Sequence, residues 1–126
     1  MQETPRFTIN RNLVVLLPRQ PALDWILSVD SNPLDFTLAQ IRHDQDAFLI
    51  PHFDEPEESA RWIQGRWKMF FERFLMEWYT EESWWPQKRT LKMFNEWFEI
   101  QQHSMVWDLS VDEPIEHEDW ESLGDD

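Results

Sequence analysis

Apolar positions between Ala60 and Trp78 recur at steps of three and four: Ala60, Ile63, Trp67, Phe71, Phe74 and Trp78. That spacing sets them along one stripe of an α-helix, which Phe70 and Leu75 widen. Just upstream, Asp54 and Glu57 stand at capping-box spacing around Pro56, a residue suited to the first helical turn because no N–H is needed there. The pattern predicts one helix from about Pro56 to Tyr79, roughly 35 Å long. Glu57 with Arg61, Lys68 with Glu72, and Arg73 with Glu77 fall at i,i+4 on its wet side. Gly65 conflicts with the pattern, costing about 1 kcal/mol against alanine in a helix interior. It implies either the close approach of another backbone or a bend.

Other stretches follow other periods. Leu13–Leu17 is a β-prone run stopped by Pro18, and Ala47–Ile50 is a second, closed by Pro51; both read as strands. Pro21 opens a short helix in which Leu23, Ile26 and Leu27 share a face, Thr37 caps a single turn ending near Ile41, and Thr90 caps a helix carrying Leu91, Phe94 and Trp97. Asp30-Ser31-Asn32-Pro33 is turn chemistry, Asp44-Gln45-Asp46 a polar loop, and Thr80-Glu81-Glu82-Ser83 a further helix-start signal. Between Phe98 and Leu109 the pattern alternates but changes parity, from Phe98 and Ile100 to Met105, Trp107 and Leu109. A strand there needs a bulge or a kink near Gln102 to His103. Residues 1–11 show no period and read as an arm or an edge segment.

Each apolar face needs a partner, so the predicted class is α+β. A small sheet of about three strands, from Leu13–Leu17, Ala47–Ile50 and part of Phe98–Leu109, is covered by one long aromatic-rich amphipathic helix and shorter helices. A mainly helical bundle is the alternative. Residues 1–109 form a single globular domain in this reading. Residues 110–126 form an acidic C-terminal tail that folding does not need, with Ile115 and Trp120 as its candidate apolar anchors.

Composition sharpens this picture in three ways. Nine tryptophans and nine phenylalanines among 126 residues mean that a few large rings supply much of the burial. Cysteine is absent, which excludes disulfides, thiolate metal sites and cysteine nucleophiles. The net charge of −14 is unevenly placed: nine acids and no lysine or arginine follow from Asp108 onward, leaving 16 acids against 11 bases before it. Phosphate recognition rests on lysine and arginine clusters, so nucleic-acid binding is not expected, and a basic partner is. The amino terminus lacks the basic and apolar regions of a signal peptide, and Leu13–Leu17 is too short to span a bilayer. A soluble, cytoplasmic protein without a membrane partner is expected.

Leu49-Ile50-Pro51, then Trp78-Tyr79-Thr80, Trp85-Pro86, Arg89-Thr90, Phe94, Trp97-Phe98, His103-Ser104-Met105-Val106 and Asp108-Leu109 make up a further pattern. It resembles a group of short acidic bacterial proteins of unassigned function, across most of residues 12–118. The resemblance implies a small bacterial cytoplasmic protein and brings no activity or site residues with it.

Candidate chemistry is sparse. His52, His103 and His117 are the only metal candidates, and none has H-E-x-x-H or comparable spacing, so surface histidines are the simpler reading and no metal or cofactor is expected. There is no G-x-S-x-G, and two glycines cannot write a phosphate-cradling loop or a dinucleotide fingerprint. Carboxylate pairs arise by chance among 25 acids. The aromatic stripe suits a core more often than a ligand pocket.

Trp84-Trp85-Pro86 stands apart, because adjacent tryptophans in a connection do not easily face one core. With Glu81 and Glu82 beside them, Trp84 and Trp85 form the candidate partner-binding set; the alternative has both rings folded over helix ends. The expected function is a small acidic protein-interaction module, an adaptor, an inhibitor or a mimic of a negatively charged ligand, rather than an enzyme. Two other readings stay open: a small-ligand binder with an aromatic-lined pocket, and an enzyme whose site is assembled from scattered residues.

Overall fold

The computed structural model describes residues 7–29, 36–43, 45–110 and 112–118. Along these the elements are β1 (Phe7–Thr8), β2 (Arg11–Pro18), α1 (Gln20–Val29), α2 (Leu38–Ile41), β3 (Ala47–Pro51), α3 (Pro56–Gln64), α4 (Trp67–Trp78), a 3-10 turn (Glu82–Trp84), α5 (Leu91–Trp97), β4 (Phe98–His103) and β5 (Trp107–Asp108). The turn at Asp30–Pro33, residues 1–6, Asp44 and Trp120 lie outside the described residues.

The class is α+β. β2 is the middle strand of an antiparallel sheet of order β3-β2-β4, and β1 pairs antiparallel with β5. Period-2 alternation explains how β2 divides the space around it: Asn12, Val14, Leu16 and Pro18 are buried, while Leu13, Val15 and Leu17 face the other side and are half-buried. Val14, Leu16, Ile50 and Phe98 meet the helices in one core with Trp25, Ile26, Ile63, Phe71, Phe74 and Phe94. Among the described residues, the buried helical side chains thus gather on one face of the sheet.

The predicted single helix is two. α3 ends at Gln64 and α4 begins at Trp67, with Gly65 still near helical geometry (φ −69°, ψ −15°) and Arg66 outside it (φ −119°, ψ 25°). Of the two explanations for Gly65, the bend holds. A Cβ there would meet only the Arg61 and Trp62 carbonyls, at 3.4 and 3.7 Å, so no foreign backbone presses on it. Arg66 helps to set the bend: its guanidinium lies 3.9 Å from the Trp62 ring centroid and its N–H donates to the Ile63 carbonyl at 3.0 Å, a tightened i→i−3 bond. On either side of the interruption Ser59 and Ile63 of α3, and Phe70, Phe71, Phe74 and Leu75 of α4, are all buried.

The expected cap also differs. Glu55, not Asp54, is the N-cap of α3, and its side chain makes no capping bond. Asp54 instead lies 3.3 Å from His52 Nε2. Of the three i,i+4 pairs, Arg73 with Glu77 forms, at 3.9 Å; Lys68 turns over the Trp67 ring and Glu72 approaches Arg89. Thr37 and Thr90 cap α2 and α5 as their sequences predict, and Thr37 with Gln40 completes a capping box.

The parity change after Phe98 is solved by a break in pairing. β4 runs in unbroken register against β2, from Pro18 opposite Phe98 to Leu13 opposite His103, and stops. Pairing resumes with Thr8 opposite Trp107. Five residue steps separate Thr8 from Leu13 but four separate His103 from Trp107, so the extra residue sits on the N-terminal strand, not at Gln102 to His103. Asn12 is caught in that interval.

Candidate functional site

Adjacent residues Trp84 and Trp85 have opposite fates. A 3-10 turn closed by Trp84 N–H donating to the Glu81 carbonyl (3.0 Å) and Trp85 N–H to the Glu82 carbonyl (3.1 Å) sends the two rings apart. Trp85 is 5 % exposed, its indole Nε1 donates to the Tyr79 carbonyl at 2.7 Å, and Arg89 lies 5.7 Å from its ring centroid. It is a core residue, which removes it from the partner-facing set expected of both tryptophans.

Trp84 is 53 % exposed. Its backbone is nevertheless held at both ends, because its carbonyl accepts from Trp25 Nε1 at 3.1 Å, and its ring meets Tyr79 edge-on at 5.7 Å. Tyr79 is itself fixed by donating its hydroxyl to the Ile26 carbonyl at 2.8 Å. Glu81 and Glu82 are exposed beside Trp84, with Ser83 Oγ donating to Glu81 Oε1 at 3.1 Å. One exposed ring, braced edge-on by Tyr79, and two carboxylates therefore share this corner.

The other sequence candidates do not converge. His52 pairs with Asp54, His103 stands opposite Leu13 on the uncovered side of the sheet, and His117 is exposed. Among the described residues no three histidines, aspartates or glutamates are grouped to hold a metal ion. Nor is any described helix long and apolar enough to cross a membrane. Where the aromatic stripe meets the sheet, between Leu16, Phe48, Phe70 and Phe74, the void is only about 10 Å³, barely room for one water.

A second place lies away from every residue that the sequence singles out for binding. Between the end of β4 and the first turn of α3 is a cavity of about 140 Å³ lined by Asn12, Phe53, Asp54, Pro56, Ser59, Gln102 and Ser104. Asn12 is 4 % exposed, and its Oδ1 has no hydrogen-bond partner, a state that costs about 1–3 kcal/mol for a buried amide. Ser59, fully buried, donates toward the Pro56 carbonyl at 3.0 Å and also contacts Gln102 Oε1. The sequence carries two signals for this: Asn12 has the inward parity of Val14 and Leu16, and Ser59 is i,i+4 from Ile63. No protein-family model, curated protein or solved structure matches the chain.

Proposed function

We propose that this is a small acidic protein-interaction module of the bacterial cytoplasm, which holds a basic partner protein through Trp84 with Glu81 and Glu82 beside it. The observation that supports this reading is an exposed tryptophan whose backbone is hydrogen-bonded on both sides and whose ring already rests edge-on against Tyr79. A ring that is ordered before binding loses little freedom on association, and tryptophan in such a position carries a large share of binding energy where interfaces have been dissected. Arginine or lysine on the partner suits the site twice over, by stacking on the indole face and by pairing with the flanking carboxylates. The net charge of −14 steers such a partner toward the surface.

The test compares wild type, Trp84→Ala and the double change Glu81→Gln, Glu82→Gln in pull-downs from the native host, with circular dichroism confirming each fold. Loss of one defined partner by folded Trp84→Ala, with a weaker, less salt-sensitive association for the double variant, supports the reading. A folded Trp84→Ala that retains every partner rejects it.

A further inference from the structure

Among the described residues, every polar side chain lining the cavity at the strand break is uncharged except one. Asn12, Ser59, Gln102 and Ser104 carry amides and hydroxyls, groups that both donate and accept, while Phe53 and Pro56 add apolar wall. The exception, Asp54, is 89 % exposed and already has His52 Nε2 at 3.3 Å, so it belongs to the rim. Among the described residues no lysine or arginine lines the space.

Charge decides what such a space will take. A carboxylate or phosphate would lose its water and find no cation, with Asp54 facing it at the mouth. An ammonium group beside Asn12 would be desolvated without a buried counter-charge. An uncharged ligand meets neither penalty. Size narrows the class further, because a space of about 140 Å³ takes one small organic molecule, about the size of a benzene ring. Displacing ordered water is favourable only when the ligand reproduces its hydrogen bonds, and several hydroxyls on a compact frame do that for amide and hydroxyl walls arranged around the space. A single carboxamide offers fewer donors and acceptors than the four hydroxyls of a tetrol.

We infer that the cavity between β4 and α3 is a binding site for a small uncharged polyol, with the orphaned Asn12 amide as its central hydrogen-bonding group. The site shares no residue with the Trp84 surface. Its position follows from the break in pairing: where β4 stops, Asn12 loses a neighbour across the ladder, and the ligand takes that place. Bulges are over-represented at sheet edges and next to active sites.

Titration of isotopically labelled full-length protein with erythritol, followed by backbone and side-chain amide NMR, tests this. Erythritol is expected to produce saturable shifts at Asn12, Gln102 and Ser104, whereas acetate, methylammonium and acetamide at equal concentration do not. Asn12→Leu should weaken the response at least tenfold while the remaining spectrum keeps its dispersion. Ser104→Ala, at an exposed position where folding is not at stake, should weaken it several-fold. The inference is overturned if erythritol gives no saturable shift, so that the cavity holds water only. It is overturned equally if a charged probe or acetamide binds as well as erythritol, or if a folded Ser104→Ala and Asn12→Leu both bind as wild type does.

Discussion

Trp85 Nε1 donates to the carbonyl of Tyr79 at 2.7 Å, closing the end of α4 over a ring that has almost no contact with solvent. Its sequence neighbour has no such burial, so the two tryptophans should separate cleanly under mutation. Trp85→Ala is expected to cost about 3–5 kcal/mol, the range for removing a large buried ring, and Trp85→Phe about 1 kcal/mol for the lost hydrogen bond plus any repacking cost. Trp84→Ala should change stability far less, because the carbonyl that Trp25 uses is backbone and survives the change. Urea denaturation of the three variants checks the order; equal losses at both positions would show that Trp84 is part of the core.

That division was not legible in the sequence, because neither ring is set by local rules. Which of two adjacent tryptophans turns inward depends on where Tyr79 and Trp25 lie, and Trp25 is distant in the chain. Elements governed by short-range chemistry were legible: the Thr37 and Thr90 caps, the runs Leu13–Leu17 and Ala47–Ile50, and the prolines beside them. The break at Arg66 was hidden because the apolar period continues through it, both segments being packed on the same core. Asn12 and Ser59 were legible as inward positions but not as parts of a cavity. A polar residue at an inward position gives no sign of its surroundings until the strand register is known, and the slipped register here is set by residues 8–13 pairing with residues 103–107.

Gly65 offers a direct gain in stability. Its φ of −69° suits any L-residue, and a Cβ would meet nothing closer than the Arg61 carbonyl at 3.4 Å. Gly65→Ala should therefore stabilise the protein by about 0.4–1 kcal/mol, mainly by reducing the freedom of the unfolded chain. The thermal midpoint should rise by about 2–4 °C. A fall would mean that the bend between α3 and α4 uses conformations closed to alanine.

The described part of the acidic tail, residues 112–118, has no helix or strand, and Ile115 is 57 % exposed. Like charges along it repel, and little apolar area is gained by holding it down. Truncation after Glu113 is expected to leave the fold intact. A fall in thermal midpoint of more than about 8 °C, beyond what ~1 kcal/mol produces in a domain of this size, would make the tail structural.

Arg42 joins α2 to the end of the sheet, donating from Nη2 to Glu99 Oε1 at 2.7 Å and from Nη1 to the Pro18 carbonyl at 3.1 Å. The hydrogen bond from Arg42 lowers the Glu99 pKa below its ordinary 4.5; desolvation opposes this, and the charges of Arg42 and Arg19 add to the lowering. A carboxylate with a depressed folded pKa contributes stability that is present above its unfolded pKa and is lost as pH falls through the folded one. Glu99→Gln should therefore be less stable than wild type near neutrality, with the gap closing once the pH drops below the folded pKa of Glu99. Comparing the two proteins at each pH cancels the acid response of the many other carboxylates, which both share. Thermal midpoints measured across the acid range check the sign. A gap that stays constant as the pH falls would mean that the substituted amide disturbs packing, and that the charge on Glu99 contributes nothing to the bond with Arg42.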